Sequence, residues 1–318
     1  MEVTFLTFNY GTAGRYVNGP GMCLHNLVTY LRDSAYTVNV FSVLDSPYEG
    51  VAGVSSINRV KKAIDRSDIV HHWSGLNKSF SSLCAYAKKK NKAVLIGPNL
   101  IDTVDFKNEQ EYLSRTKYDK ILVPNYRLKY KVAKEHGIPL NKIEKFVVGP
   151  DAELWKPVLD EEREEFILWK GNGKQYVKDV KFGIEIAKRL KGKYKFEFMG
   201  HPKPYVYEAH IEKAKKAKLF ICTSLSETMG LALWEQHMAG VPSVVHPKIY
   251  MPGINYTTGI ITNRTIEDYV QAIDEIMSDD VLHKKLSYGA SRLAHKAFSD
   301  VEIVQEYNII MYGVINAS

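Results

Sequence analysis

Two glutamates eight positions apart, Glu227 and Glu235, stand in the stretch SLSETMGLALWEQHMAGVPSVV (224–245). An apolar strand pattern ends at Thr223–Ser224, Glu227 falls in a short loop, and Gly230 opens a helix that carries Glu235. In open α/β sheets, ligands gather beyond the carboxyl ends of strands, beside helix N-termini whose free N–H groups favour phosphate. Two carboxylates placed there can grip the hydroxyls of a sugar and of a ribose. A plainer reading of the same residues stays open: Glu227 is a first-turn acid matched to the helix dipole, and Glu235 a solvated face residue.

Three further stretches carry residues that could handle an anion or a polar substrate. ILWKGNGKQYVKDV (167–180) places Lys170, Lys174 and Lys178 around a glycine-rich turn, or is simply a basic loop on a basic protein. In NGPGMCLHNL (18–27), Gly19 and Gly21 precede a helical pattern, and a G-x-G allows close backbone approach to phosphate, although it also serves many tight turns. DIVHHWSG (68–75) ends a strand with His71 and His72, which alternation turns to opposite faces. The remaining histidines are scattered without H-E-x-x-H or similar spacing, and no metal site is expected.

The elements that must position these residues alternate in type. VTFLTFN (3–9), YTVNVFSV (36–43), DIVHHW (68–73), AVLIG (93–97) and KILVP (120–124) read as buried parallel strands, with helical apolar spacing between them. This is the rhythm of a doubly wound α/β sheet. It breaks at VVGPDAELWKP (147–157), where glycine and prolines mark a loop. A second series follows, with strands at 165–169, 194–200, 218–224 and 242–246 and helices at 178–190, 206–216 and 230–239. After residue 265 only helical patterns remain. The acidic DEEREE (160–165) reads as a solvated linker face.

Composition sets outer bounds. The 318 residues suit two domains, and 45% hydrophobic with 25% charged residues is ordinary for a folded soluble protein. No apolar run reaches the roughly 18 residues of a membrane span, and MEVTFLTFNY reads as a first strand and not a signal peptide. Cys23, Cys84 and Cys222 are widely spaced, which suits a reducing, cytoplasmic setting. The net charge of +7 is uneven: residues 1–150 carry 21 Lys+Arg against 13 Asp+Glu, whereas residues 151–318 carry 22 against 23.

E-x₇-E followed by AGVP closely resembles the donor-site signature of the retaining glycosyltransferases of family 4, which have the GT-B fold. Gly230, Gly240 and Pro242 fall where that motif places its glycines and proline. GPDAELWKP is similar to the family's inter-domain segment, and NYTTGIITN (255–263) to its threonine-glycine strand. The resemblance implies two facing Rossmann-like domains with parallel sheets and a donor cleft between them. It implies boundaries at 1–150 for the acceptor side and 151–298 for the donor side, and a closing helix, 299–318, that packs back on the first domain.

The resemblance also implies roles. Glu227 contacts the transferred sugar, Glu235 the ribose, and the backbone of Met229, Gly230 and Leu231 lies near sugar or phosphates. Gly19 and Gly21 approach the pyrophosphate. The family's H-W pairing selects His72 for the site and turns His71 inward. Lys178 takes the place of the family's lysine against the leaving pyrophosphate. Asn172 departs from the pattern, because it occupies the position of an arginine whose charge an amide cannot supply. Lys170 or Lys174 would then replace it, or stabilisation is weaker.

The implied activity is transfer of a hexosyl or related group from a nucleotide-diphosphate sugar, such as a UDP- or GDP-sugar, with retention and without a metal or other cofactor. An epimerase-like or phosphorylase-like enzyme on the same architecture, or an inactive nucleotide-sugar-binding module, is the alternative. The basic first half, with lysine clusters at 61–66, 88–92 and 127–134 and Tyr86, Tyr126 and Tyr130 among them, points to an acidic acceptor. A nucleic acid with a modified base fits, as does a phospholipid or lipid-linked glycan at a membrane surface, to which the protein would be peripheral.

Overall fold

The computed structural model describes residues 1–8, 10, 12–13, 16–17, 19–44, 48, 50–54, 56–73, 78–98, 106–203, 207–247, 249 and 255–317. The chain divides into two compact units, Met1–Val148 with Asp300–Ser318, and Gly149–Ser299.

The first unit begins with β1 (Glu2–Thr7), a short antiparallel ribbon of β2 (Thr12–Ala13) and β3 (Tyr16–Val17), and α1 (Gly19–Asp33). It continues through β4 (Thr37–Ser42), β5 (Val51–Gly53), α2 (Ile57–Arg66), β6 (Ile69–Trp73), α3 (Lys78–Lys89), β7 (Ala93–Ile96), α4 (Phe106–Arg115), β8 (Lys120–Val123), α5 (Tyr126–His136) and β9 (Ile143–Lys145). The strands form one parallel sheet in the order β5-β4-β1-β6-β7-β8-β9. Its central strands are buried on both faces, which is why they read as unbroken apolar runs. On one face Leu6, Val70, Val94 and Ile121 pack under Ile64, Phe80, Cys84 and Leu128 from the helices.

The second unit holds β10 (Glu164–Lys170), α6 (Val180–Arg189), β11 (Lys195–Met199), α7 (Tyr207–Lys215), β12 (Ala217–Ile221), α8 (Leu231–Met238), β13 (Ser243–Val245), β14 (Gly259–Ile261), α9 (Ile266–Ser278) and α10 (Asp280–Ala297). Its parallel sheet runs β11-β10-β12-β13-β14. The helices start where side chains satisfy free N–H groups: Asp179 accepts from Phe182, Thr265 from Asp268, and Asp279 from Val281 and Leu282. The last helix, α11 (Asp300–Ile315), belongs to the first unit, where Tyr307 is fully buried against Phe5, His71 and Phe146.

The α/β, doubly wound reading therefore holds for both units. Two short strands, β5 and β9, escape a pattern search because three residues carry too little alternation to register. The five acids of the stretch 160–165 are solvated, as read, but the stretch is not all linker. Glu164 and Glu165 begin β10, and the Arg163 side chain between the acids is only 4% exposed. Its guanidinium donates to the carbonyls of Val158, Lys215, Ala217, Ala239 and Gly240. A cation is favoured there by the C-terminal dipole of α8. Gly240 has φ +75°, and a Cβ on it would come within 2.8 Å of that guanidinium.

Candidate active site

The strand order of the parallel second sheet reverses at β10, since β11 lies on one side of it and β12 on the other. Ligands of open α/β sheets bind beyond the strand ends at such a point. Lys170 ends β10, Thr223 and Ser224 follow β12, and Gly230, with φ +60°, opens α8. A left-handed residue there turns the chain from loop into helix, and glycine does this without a Cβ clash.

Four charged side chains meet at this edge in two pairs. Lys178 Nζ donates to Glu227 Oε1 at 2.5 Å, and Ser224 Oγ donates to the same oxygen at 2.6 Å. Lys170 Nζ donates to Glu235 Oε2 at 2.5 Å and lies 4.5 Å above the Trp155 ring. The second pair is the more deeply buried, with side chains 3% and 9% exposed against 23% and 11% for the first. Lys170 is held where a lysine rarely goes, buried at the last residue of β10, because an aromatic face and a carboxylate both receive it.

The loops carrying these groups are stitched together. Trp169 Nε1 donates to Thr223 Oγ1 at 2.8 Å, and that hydroxyl donates between the carbonyls of Lys178 and Asp179, each at 3.0 Å. Leu225 N donates to Val177 O at 2.7 Å. Asp179 in turn accepts from Arg264, which follows β14. A small recess of about 10 Å³ lies among Lys170, Thr223, Ser224, Glu227 and Gly230. Glu227 and Glu235, which composition alone would leave on a solvated surface, are both buried.

The remaining expected residues are placed differently. Asn172 turns its amide oxygen back to accept from Lys174 N at 3.1 Å, closing a local turn, and the residue is exposed. Lys174 is exposed and has no ion-pair partner among the described residues. Met229 and Leu231 flank Gly230, half-buried. Gly19 and Gly21 do not form a loop ahead of α1; they lie in its first turn, where Pro20 favours helix. Trp73 Nε1 donates to Pro20 O at 2.8 Å, which fastens that turn to the end of β6.

His71 and His72 point to opposite faces of the first sheet, and both are buried. His71 bonds Tyr307 OH at 2.7 Å and the Gly97 carbonyl at 2.9 Å. His72 bonds Tyr112 OH and packs beside Phe80. The Nε2 of His72 has no hydrogen-bond partner among the described residues. Burial pushes the pKa of each ring down to about 3, and for His72 the neighbouring His71 adds to the effect. Both rings are uncharged near neutral pH.

Burial also brings His237, on α8, down to about 3. These three rings make the fold acid-sensitive. Between pH 6.5 and 3 the unfolded chain binds protons that the folded one refuses, so stability is full above about 6.5 and is lost as pH falls below it. Each ring contributes about 1.4 kcal/mol per pH unit, and the three together about 4. Denaturant unfolding at pH 7.5, 6.5 and 5.5 should show the stability dropping steeply across the last interval. A flat profile there would mean that the rings are not buried in the neutral form.

The basic clusters of the first unit are partly neutralised. Lys88 pairs with Asp119 at 2.8 Å and Lys129 with Glu144 at 3.3 Å, while Lys61 and Lys90 lie over the Tyr86 ring, whose hydroxyl donates to Asp65. Lys89 and Lys134 are exposed and Lys92 is half-buried, with no such partner among the described residues, and Tyr126 and Tyr130 are exposed on the helix that carries Lys134. Because α11 contributes only acids, the unit totals 21 Lys+Arg against 16 Asp+Glu, a net +5, and the second unit 22 against 20, a net +2. The division of charge is milder than the halves of the sequence suggest.

Residues 184–293, which include Glu227, Gly230 and Glu235, match the family model described as Glycosyl transferases group 1. No curated protein sequence matches the chain. Among solved structures, Anabaena Alr3699/HepE in complex with UDP and glucose is similar at a TM-score of 0.75 and 12% identity, over 98% of this chain and 100% of that one. A glycosyltransferase from Rickettsia africae ESF-5 is similar at 0.75 and 16% identity, over 99% of both. An alpha-glucosyltransferase in complex with UDP-glucose and DNA containing an abasic site is similar at 0.70 and 11% identity, over 98% of this chain and 99% of that one. At such identities these likenesses establish the fold, and the fold is GT-B. Family match and architecture together define an enzyme, a glycosyltransferase. The match to the glycosyl transferases group 1 lies within the second unit, over residues 184–293.

Proposed function

We propose that the protein transfers a hexosyl or related group from a nucleotide-diphosphate sugar to an acceptor, with retention of anomeric configuration and without a metal. The observation that carries this reading is the double pair Lys178–Glu227 and Lys170–Glu235 at the mouth of α8. Two cations and two carboxylates hold one another in place until a donor arrives. The donor's pyrophosphate then takes the ammonium groups, and the freed carboxylates take hydroxyls, Glu227 those of the sugar and Glu235 those of the ribose. Lys170, two residues before Asn172, supplies the charge that the amide does not.

The developing negative charge on the leaving phosphate is met by Lys178 and by the first N–H groups of α8, which are already oriented before the bond breaks. Neither carboxylate serves as a covalent nucleophile in this scheme; the acceptor hydroxyl attacks from the face the phosphate leaves, and the phosphate oxygen takes its proton. An epimerase would leave the sugar on the nucleotide, and an inactive binding module would leave the donor intact, so both rivals separate in one assay.

The test is incubation with a panel of UDP- and GDP-sugars, in chelator, followed by NMR of the product's anomeric proton. Release of nucleoside diphosphate with a product of the donor's own anomeric configuration is expected. An inverted product, or activity restored only by a divalent ion, overturns the scheme. We further propose an acidic acceptor, supported by the net +5 of the first unit, by exposed Lys89, and by exposed Lys134, Tyr126 and Tyr130 on α5. A neighbour solved with DNA makes a nucleic acid worth including beside anionic vesicles in the acceptor panel. Nucleic-acid binding would fall steeply with salt, whereas membrane binding would require anionic lipid.

A further inference from the structure

We propose that Arg264 is a positioning residue for this site: by gripping the Asp179 carboxylate it holds the backbone in the left-handed turn that aims Lys178 at Glu227 and the donor phosphates. The inference rests on the reading of Lys178 as a phosphate-facing cation. Lys178 ends a single turn of 3₁₀-helix, Tyr176–Lys178, and Asp179 follows it with φ +40° and ψ +58° before α6 begins. Ala35, Asn91 and Asp179 are the non-glycine residues with positive φ among those described. A side chain in this region costs on the order of 1 kcal/mol and persists only where its surroundings hold it.

What holds Asp179 comes from three directions. Its Oδ1 accepts from Phe182 N at 3.3 Å, a long capping bond, while its Oδ2 accepts from Arg264 Nη2. The Thr223 hydroxyl reaches the Lys178 and Asp179 carbonyls from β12's end. Arg264 itself is stacked 4.4 Å over the Phe182 ring and extends Nη2 to the Thr223 carbonyl at 3.5 Å. One guanidinium thus ties the turn after β10, the start of α6 and the end of β12, the pieces that carry Lys178 and lead into Ser224 and Glu227. Its Nε is buried and has no hydrogen-bond partner among the described residues, a cost that the ion pair and ring contact must offset. A lysine could pair with Asp179 but could not also lie flat on Phe182.

The test compares Arg264→Met, Arg264→Lys and the double variant Arg264→Met/Asp179→Asn with Lys178→Ala, in the full chain. Asparagine still caps a helix and tolerates the left-handed region, so it needs no arginine to stay there. The readouts are kcat, donor KM and the thermal midpoint. Arg264→Met should lower kcat about tenfold, with donor KM changing much less, and Arg264→Lys should fall between it and the native protein. The double variant should recover most of the lost kcat although the guanidinium is still absent. Native kcat in Arg264→Met while Lys178→Ala is impaired overturns the inference and leaves the site reading intact. Loss of kcat that follows the thermal midpoint and is not recovered by Asp179→Asn assigns Arg264 to stability alone and also overturns it. Native turnover in Lys178→Ala overturns the site reading itself.

Discussion

Lys178→Ala lowers kcat for glycosyl transfer by about 10²–10³-fold, the loss typical of removing one preorganised electrostatic stabiliser from an active site. The ammonium is already fixed before the donor binds, through Glu227 and through a backbone anchored by Thr223 and Leu225. Little of its energy is therefore consumed in reorganisation at the moment the phosphate leaves. Since the charge on the phosphate bridging oxygen develops only as the sugar departs, the effect falls on kcat more than on donor KM. Glu227→Gln should act differently, weakening the grip on the sugar while Lys178 remains charged. Steady-state kinetics with a fixed acceptor and varied donor resolves the two. A Lys178→Ala enzyme with raised KM and native kcat would show that the lysine serves ground-state binding only.

Glu235→Ala is the second substitution with a large expected effect, and it acts on stability and on binding together. Removing the carboxylate leaves the Lys170 ammonium buried, at 3% side-chain exposure, with Trp155 beneath it. Stranding one member of such a pair costs about 3–5 kcal/mol. In the proposed scheme nucleotide affinity should fall as well, because Glu235 is the acceptor for the ribose hydroxyls. The double variant Lys170→Met/Glu235→Gln separates these effects. It removes both charges and should regain most of the stability, since a neutral pair of similar volume carries no desolvation penalty. Nucleotide binding should stay weak. Urea unfolding and calorimetric titration with nucleoside diphosphates measure the two quantities. Native nucleotide affinity in the double variant would remove Lys170 and Glu235 from the donor site.

The local parts of this protein are legible in its residues alone. Strands buried on both faces must be apolar throughout, so β1, β6, β7, β8, β10 and β12 are legible as runs, and the helices between them as 3.6-residue patterns. Gly230 as the hinge into α8 is equally local, because glycine takes the left-handed conformation there without a Cβ clash. The spacing of Glu227 and Glu235 marked the carboxylates through resemblance to a known signature, although residue types alone admitted a solvated reading.

What those carboxylates hold depends on contacts distant in sequence. Lys170 meets Glu235 across 65 positions, Lys178 meets Glu227 across 49, and Arg264 meets Asp179 across 85. No periodicity links such partners; the crossover of the sheet at β10 and β12 brings them together. The same holds for Arg163, which reads as one charge in an acidic run until β10 draws it under the end of α8. It holds for the histidines too. Strand alternation separates His71 from His72, but burial on each face depends on what packs there, Tyr307 from the far end of the chain on one side and Tyr112 on the other. Charge is divided between the units in the same way, because the acids of α11 join the basic first unit only when the chain returns to it. Pairings between side chains far apart in sequence depend on which elements become neighbours, and that is a property of the folded sheet and not of any window of residues.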